Sequence, residues 1–324
     1  MEPRQHHTAS PIPSELLAAA RRYHLGTASA EDGERLAHAG WQALGGGSNN
    51  GVYAFRHEGQ PLVLKCFRVD ERDRAGREWR ALELLQARGG TFHPRPVAYA
   101  PHHTGPVVVM ARIAGRPVRG QPLSPAQLHA LVELRRACYA ITPSTTAVAL
   151  PPVVGNVAKE TARLEAAREA LRAAPAQDAL APQLAGTIDT WLAGPDPARL
   201  AQPAPPVFSA GDGNLANYLW DGRHLWRTDY EYSGWSDRAV DLADLVEHDG
   251  SRATPDDAWT GFVGAFDLSP AERARFQAAR RLWAVFWAML FWSRGGHDPA
   301  SPLHAKLLAQ LPRAWRLLAA PSPS

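Results

Sequence analysis

From Ser124 onward the chain reads as one helix after another, with a single long exception, AGDGNLANYLWDGRHLWRTDYEYSGWSD, from Ala210 to Asp237. Apolar residues recur at helical spacing over 124–140, 157–173, 183–192, 238–248, 255–266, 270–293 and 303–318. The exception is extended and punctuated by glycine. Ahead of Ser124 the period is different again. Short helices over 14–24 and 30–37 precede WQAL, GGGSNNG, VYAFRHEG and QPLVLKCF, which read as strand, glycine-rich loop, strand, turn and strand. A helix over 70–86 and a strand over 106–113 close that part. A sheet followed by helices predicts an α+β chain in two lobes, a small antiparallel-sheet N-lobe over 1–113 and a larger, mainly helical C-lobe over 114–324. The first ten or so residues are expected to be disordered. The Pro-rich passages around Pro151, Pro195 and Pro203 to Pro206 are read as connectors.

Several classes are disfavoured by composition. With 324 residues and 45% hydrophobic content the chain can bury a large core. Its net charge of +3 is spread without a basic run, which argues against a nucleic-acid partner. Cys66 and Cys138 lack metal-ligand spacing and read as plain core thiols of a reducing compartment. The opening residues carry no apolar signal region, and the most apolar run, LWAVFWAMLFW from Leu282 to Trp292, is too short to cross a bilayer. A cytoplasmic protein is expected, with no membrane partner and no obligate protein partner.

Only three lysines stand against thirty-two arginines, so a lysine in the middle of the apolar strand LVLKCF is informative. Lys65 offers a compact ammonium that reaches phosphate oxygens without the bulk of a guanidinium. The alternative is an edge-strand lysine facing solvent. On the following helix, Glu78 shares a face with Leu82 and Leu85 and so points inward, where a carboxylate needs a cation. Lys65 is its expected partner. Gly46, Gly47, Ser48, Asn49 and Asn50, in the loop before the second strand, are candidates for laying backbone N–H groups over phosphates. Met110, on the strand 106–113, is a further candidate nucleotide contact.

The exception within the helical half supplies the remaining chemistry of a kinase-like phosphotransferase. Phosphoryl transfer to a hydroxyl needs a carboxylate near the attacking oxygen, and oxygen ligands for the divalent ions that bridge the nucleotide phosphates. Asp212, on a loop freed by Gly211 and Gly213, suits the first task. Asn217 and Asp229 suit the second. Glu231 lies on the same side of an extended backbone as Asp229 and is a candidate outer or alternate ligand.

Taken in order, these residues resemble the aminoglycoside phosphotransferase and choline kinase-like family of small-molecule kinases, from about Trp41 to His248. GGGSNNGVYAF is similar to the family's nucleotide loop, Lys65 and Glu78 to its ion pair, and GDGNLANYLW to its catalytic loop. TDYEYSGWSDRAVDLADL resembles the segment that carries the second metal ligand, followed by a helix whose Asp241 is usually structural. The resemblance implies Asp212 as base, Asn217 and Asp229 as Mg2+ ligands, ATP or GTP as donor, and a small hydroxylated molecule as acceptor. One position departs from the family, where His usually precedes the Gly-Asp of the catalytic loop; here it is Ala210. In related kinases that His is mainly a scaffold for the loop. A protein kinase is disfavoured, because Asp229 runs into a helix within about ten residues and leaves no room for a long activation segment. An antibiotic-modifying enzyme is the leading reading of the acceptor. A metabolic kinase acting on an amino alcohol or sugar is the alternative, and a non-catalytic kinase-like binding protein the third.

Overall fold

The computed structural model describes residues 12–45 and 50–320. The chain divides into two units, one formed by residues 1–116 and 219–233, the other by 117–218 and 234–324. The expected disorder of the first ten residues, and the loop candidates Gly46, Gly47, Ser48 and Asn49, lie outside the described residues.

In the first unit, strands β1 (Gln42–Ala43), β2 (Gly51–His57), β3 (Gln60–Cys66), β4 (Pro96–Ala100) and β5 (Val107–Ala111) form one antiparallel sheet in the order β1-β2-β3-β5-β4. The strand β3 is therefore central, with Lys65 opposite Val52 on one side and Val108 on the other. Alternation along β3 sends Leu62, Leu64 and Cys66 to one face. There they join Tyr53, Phe55, Val107 and Val109 in a core with Leu16, Leu17 and Ala20 of helix α1 (Ser14–His24) and Leu36 of α2 (Ala30–His38). Lys65, of opposite parity, is turned to the other face.

Helix α3 (Arg74–Ala87) starts four residues later than the 70–86 that periodicity predicts. The reason is local. Asp70 accepts the Arg72 N–H at 3.0 Å, an Asx-type turn, and Asp73 adopts φ 48°, so the chain cannot be helical before Arg74. Strand β4 went unread in the sequence. It is short, begins with a proline and pairs irregularly with β5 between Pro96 and Ala98.

The second unit is built from α4 (Pro125–Tyr139), α5 (Val157–Arg172), α6 (Leu180–Ala193), α7 (Asp196–Ala201), α8 (Arg238–Glu247), α9 (Asp256–Gly264), α10 (Pro270–Phe291) and α11 (His304–Ala319). Pro195 lies in the short connector between α6 and α7, as expected, and Asp196, the first residue of α7, is paired with the buried Arg281 at 2.5 Å. The apolar run from Leu282 to Trp292 lies largely in α10, where Leu282, Trp283, Val285, Phe286, Met289 and Phe291 are all buried. Ser124 and Ser269 close capping boxes at the starts of α4 and α10, satisfying N–H groups that the helices themselves leave unpaired. No described helix is long and apolar enough to cross a membrane.

Candidate active site

In the first unit a short hairpin leads to Asp229, a candidate metal ligand. Strands Tyr218–Trp220 and Leu225–Arg227 turn at Asp221, whose carboxylate accepts the N–H groups of Arg223 at 2.8 Å and His224 at 2.7 Å and the Trp226 indole at 2.8 Å. Two residues past the hairpin, Asp229 adopts φ 65°, a left-handed conformation unusual outside glycine and asparagine. That twist brings its side chain to Lys65.

Lys65 is 6% exposed, and its Nζ sits 3.1 Å from Glu78 Oε2 and 3.1 Å from Asp229 Oδ1. The solvent-facing alternative is thereby excluded. Glu78 is fully buried and also accepts the Tyr230 N–H at 2.7 Å. Desolvation opposes the charge on Lys65, but Asp229, Glu78 and Glu231 outweigh it and hold the ammonium above its ordinary pKa. For Glu78 burial outweighs Lys65 and pushes the carboxyl up to about 7. Against desolvation, Lys65 holds Asp229 below the usual carboxylate range. About a third of the Asp229 side chain is exposed, at 34%, so one carboxylate is both ion-paired and reachable.

Glu231, the candidate outer or alternate ligand, is engaged by protein groups. It is buried, bound by Arg74 Nη1 at 2.5 Å and by the Asn50 side-chain amide. Arg74 also holds Asp70 at 2.8 Å and the Tyr232 hydroxyl at 3.0 Å. Glu231 thus ties the start of α3 and the last residue of the glycine-rich loop to the turn that carries Asp229. Desolvation and the nearby Asp229 charge push its carboxyl up. Met110 is buried on β5, on the face that its register with Val63 shares with Lys65.

In the second unit the loop around Asp212 is fixed at its base. Ser209 Oγ accepts the Gly211 N–H at 2.9 Å and donates to Asp241. Asp241 in turn is held by buried Arg135 at 2.5 Å and by the Tyr139 hydroxyl at 2.6 Å. Gly211 takes φ 71°, and a Cβ on Gly213 would lie 2.7 Å from the Asp244 carbonyl oxygen and the Leu245 Cα, so the loop lies directly on the last turns of α8. The Asp212 carboxylate accepts the Asn214 N–H on Oδ1 at 2.9 Å and the Asn217 amide on Oδ2 at 2.9 Å. Its side chain is 21% exposed. Asp212 and Asn217, candidates from one loop, are hydrogen-bonded to each other.

A hard cation needs oxygen donors, and each unit offers one of the residues expected to supply them. Asp229 supplies a carboxylate, and Asn217, whose NH2 is turned to Asp212, has an amide oxygen at its other end. Among the described residues no group of three or more His, Cys, Asp or Glu is arranged to hold a metal ion.

The profile of the phosphotransferase enzyme family matches residues 40–280, well over half of the chain. The chain belongs to that family. Among solved structures, this phosphotransferase is similar to a choline/ethanolamine kinase family protein from Mesorhizobium loti, at 20% identity over 94% of this chain and 96% of that one, with a TM-score of 0.60. An ethanolamine kinase from Plasmodium vivax matches at 13% identity over 92% of this chain and 88% of that one, TM-score 0.60. A spectinomycin phosphotransferase in complex with ADP and spectinomycin matches at 12% identity over 86% and 92%, TM-score 0.60. No curated protein gives a significant match. The structural likenesses establish the two-lobed, protein-kinase-like fold.

Two acidic or basic groups near Asp212 in this phosphotransferase escaped the sequence, Asp244 and His248. Desolvation, then the charges of Asp212 and Asp241, push Asp244 up to about 8. The folded value lies above the unfolded one, so stability from this group is complete below about pH 4 and declines as pH rises through about 8. Asp244→Asn is therefore expected to be more stable than the wild type at pH 8.5, by on the order of 2 kcal/mol after allowance for partial exposure, and to lose that advantage by pH 5. Melting curves at the two pH values check this; a variant equally destabilised at both would show that the carboxyl is not carrying a proton.

Proposed function

We propose that this phosphotransferase moves the γ-phosphate of Mg-ATP, or Mg-GTP, to a hydroxyl of a small amine-bearing molecule. The observation that carries the reading is Lys65, buried on the central strand between Glu78 and Asp229. A buried ammonium compensated by one fully buried and one reachable carboxylate is built to meet phosphate and metal together. Lys65 would orient the phosphates, with Glu78 fixing its direction. Asp229, with Asn217 as a second oxygen donor, would hold the Mg2+, which when bound neutralises charge on the phosphates. Asp212 would accept the acceptor's hydroxyl proton as the acceptor oxygen bonds to the γ-phosphorus and the bond from that phosphorus to the β–γ bridging oxygen breaks, releasing the nucleoside diphosphate. Ala210 removes no group from this set. Two buried thiols and a nucleotide donor suit a cytoplasmic enzyme.

For the acceptor, an aminoglycoside-like antibiotic is the first reading. A small amino alcohol is the second, favoured by a specific observation: the Trp287 ring lies 4.6 Å from His248, which neighbours Asp212, and an indole close to the base can hold a quaternary or primary ammonium. The test is a thermal shift with Mg-ATP and Mg-GTP, followed by nucleoside diphosphate release with spectinomycin, hygromycin B, choline and ethanolamine. Stabilisation by one nucleotide and transfer to at least one acceptor are expected. Stabilisation without transfer to any of them would leave a nucleotide-binding protein, and no stabilisation well above about 1 mM nucleotide would sink the reading altogether.

A further inference from the structure

The last turns of α8 lie along the catalytic loop. Asp244 and Leu245 meet Gly213 through their backbones, and His248, one helical turn after Asp244, comes to the same side. His248 is buried, with Nε2 3.4 Å from Asp212 Oδ1. Its other nitrogen, Nδ1, accepts the Gly250 N–H at 2.9 Å. A neutral imidazole that accepts on Nδ1 carries its proton on Nε2, so the N–H is turned toward the carboxylate. Trp287 packs on the ring edge-to-face, with centroids 4.6 Å apart and planes at 76°. The ring is thus fixed on three sides. The residue two before Asp212 is the apolar, buried Ala210, which offers the carboxylate nothing.

We propose that His248 is the positioning residue for Asp212. Its Nε2–H and the Asn214 N–H together hold Oδ1, which fixes the plane of the carboxylate and turns Oδ2 to the acceptor hydroxyl. The support reaches the loop from α8 rather than from the loop's own sequence, which is why it needs no polar residue at position 210. This rests on the reading that Asp212 takes the acceptor's proton.

Two substitutions separate positioning from the plain structural role of capping the turn at 249–251. His248→Asn keeps an acceptor near the Nδ1 position but cannot reach Asp212. His248→Gln keeps a donor near the Nε2 position but loses the cap. Nucleoside diphosphate release from Mg-ATP, with whichever acceptor the panel yields or with water, is expected to show kcat lowered about 10- to 100-fold in His248→Asn and in His248→Leu with the KM for Mg-ATP unchanged. His248→Gln is expected to recover most of kcat. Full recovery in His248→Asn and none in His248→Gln, or wild-type kcat in His248→Leu, would overturn the proposal. An activity-independent arm decides the case if no turnover is found: nitrogen NMR of the wild type should show His248 as the Nε2–H tautomer, with a resonance that moves in Asp212→Asn. The Nδ1–H tautomer, or a ring indifferent to that substitution, would refute positioning, whereas absence of turnover alone would count against the proposed reaction.

Discussion

Asp212→Asn is expected to slow phosphoryl transfer by about 10²–10⁴-fold, the worth of a positioned general base, while Mg-nucleotide affinity falls by no more than about fivefold. The small loss follows from the site's hydrogen bonds. The new amide can still accept the Asn217 NH2, 2.9 Å from Oδ2 in the wild type, through its own oxygen, so Asn217 keeps its orientation and only the acceptor used by the Asn214 N–H is lost. Asp229→Asn is expected to fail differently. It removes a negative charge from the place proposed for a hard cation, so Mg-nucleotide binding should weaken at least about tenfold along with transfer. Calorimetry with Mg-ATP beside single-turnover transfer measures both. Equal losses of affinity in the two variants would mean that the roles are divided wrongly, and full turnover in Asp212→Asn would remove the mechanism.

Lys65→Ala is the second large effect, and it is read in stability as well as in binding. The substitution leaves Glu78, fully buried, facing Asp229 without the ammonium between them. Removing one partner of a buried pair costs about 3–5 kcal/mol where the survivor stays charged. Glu78 has a way out, since burial already pushes it up to about 7 and loss of Lys65 pushes it further. The raised folded value fixes the sign. The variant escapes most of the penalty at low pH, where Glu78 is protonated, and loses stability as pH rises through 7 and beyond. Melting curves from pH 5.5 to 8.5, with Mg-ATP affinity at each end, should show a gap from the wild type that widens with pH. A gap of the same size throughout would place the lost stability in packing rather than in the charge of Glu78, and unchanged melting and affinity would return Lys65 to an idle role.

The parts of this arrangement legible in the sequence are those written in local periods. Lys65 inside an apolar strand and Glu78 on the apolar face of the next helix have directions that alternation and the helical repeat dictate, and the ion pair follows from them. Asp212 and Asn217 lie five residues apart on one loop and needed no tertiary information. Glu231 was a different matter. Its place two residues past Asp229 suggested a ligand, but its partners Arg74 and Asn50 stand 157 and 181 residues away and meet it only through the fold. The same holds for His248, whose sequence surroundings at the end of a helix say nothing of Asp212. Strand β4 and the late start of α3 were hidden for a local reason, since a proline-led edge strand and an aspartate turn both dilute the period that reveals an element.

The path of the chain through the first unit bears on how the protein is made. That unit is not finished when residue 116 has left the ribosome, because residues 219–233 belong to it. Until they emerge, Lys65 waits for Asp229, 164 positions later, Arg74 for Glu231, 157 later, and Glu78 for the backbone of Tyr230, 152 later. At a synthesis rate of about 5–20 residues per second, the nascent sheet holds its buried charges incompletely matched for on the order of 10 seconds or more. The first unit is thus completed only after residues 117–218 of the second have been translated, and truncated chains ending between those points carry the lysine without its reachable carboxylate.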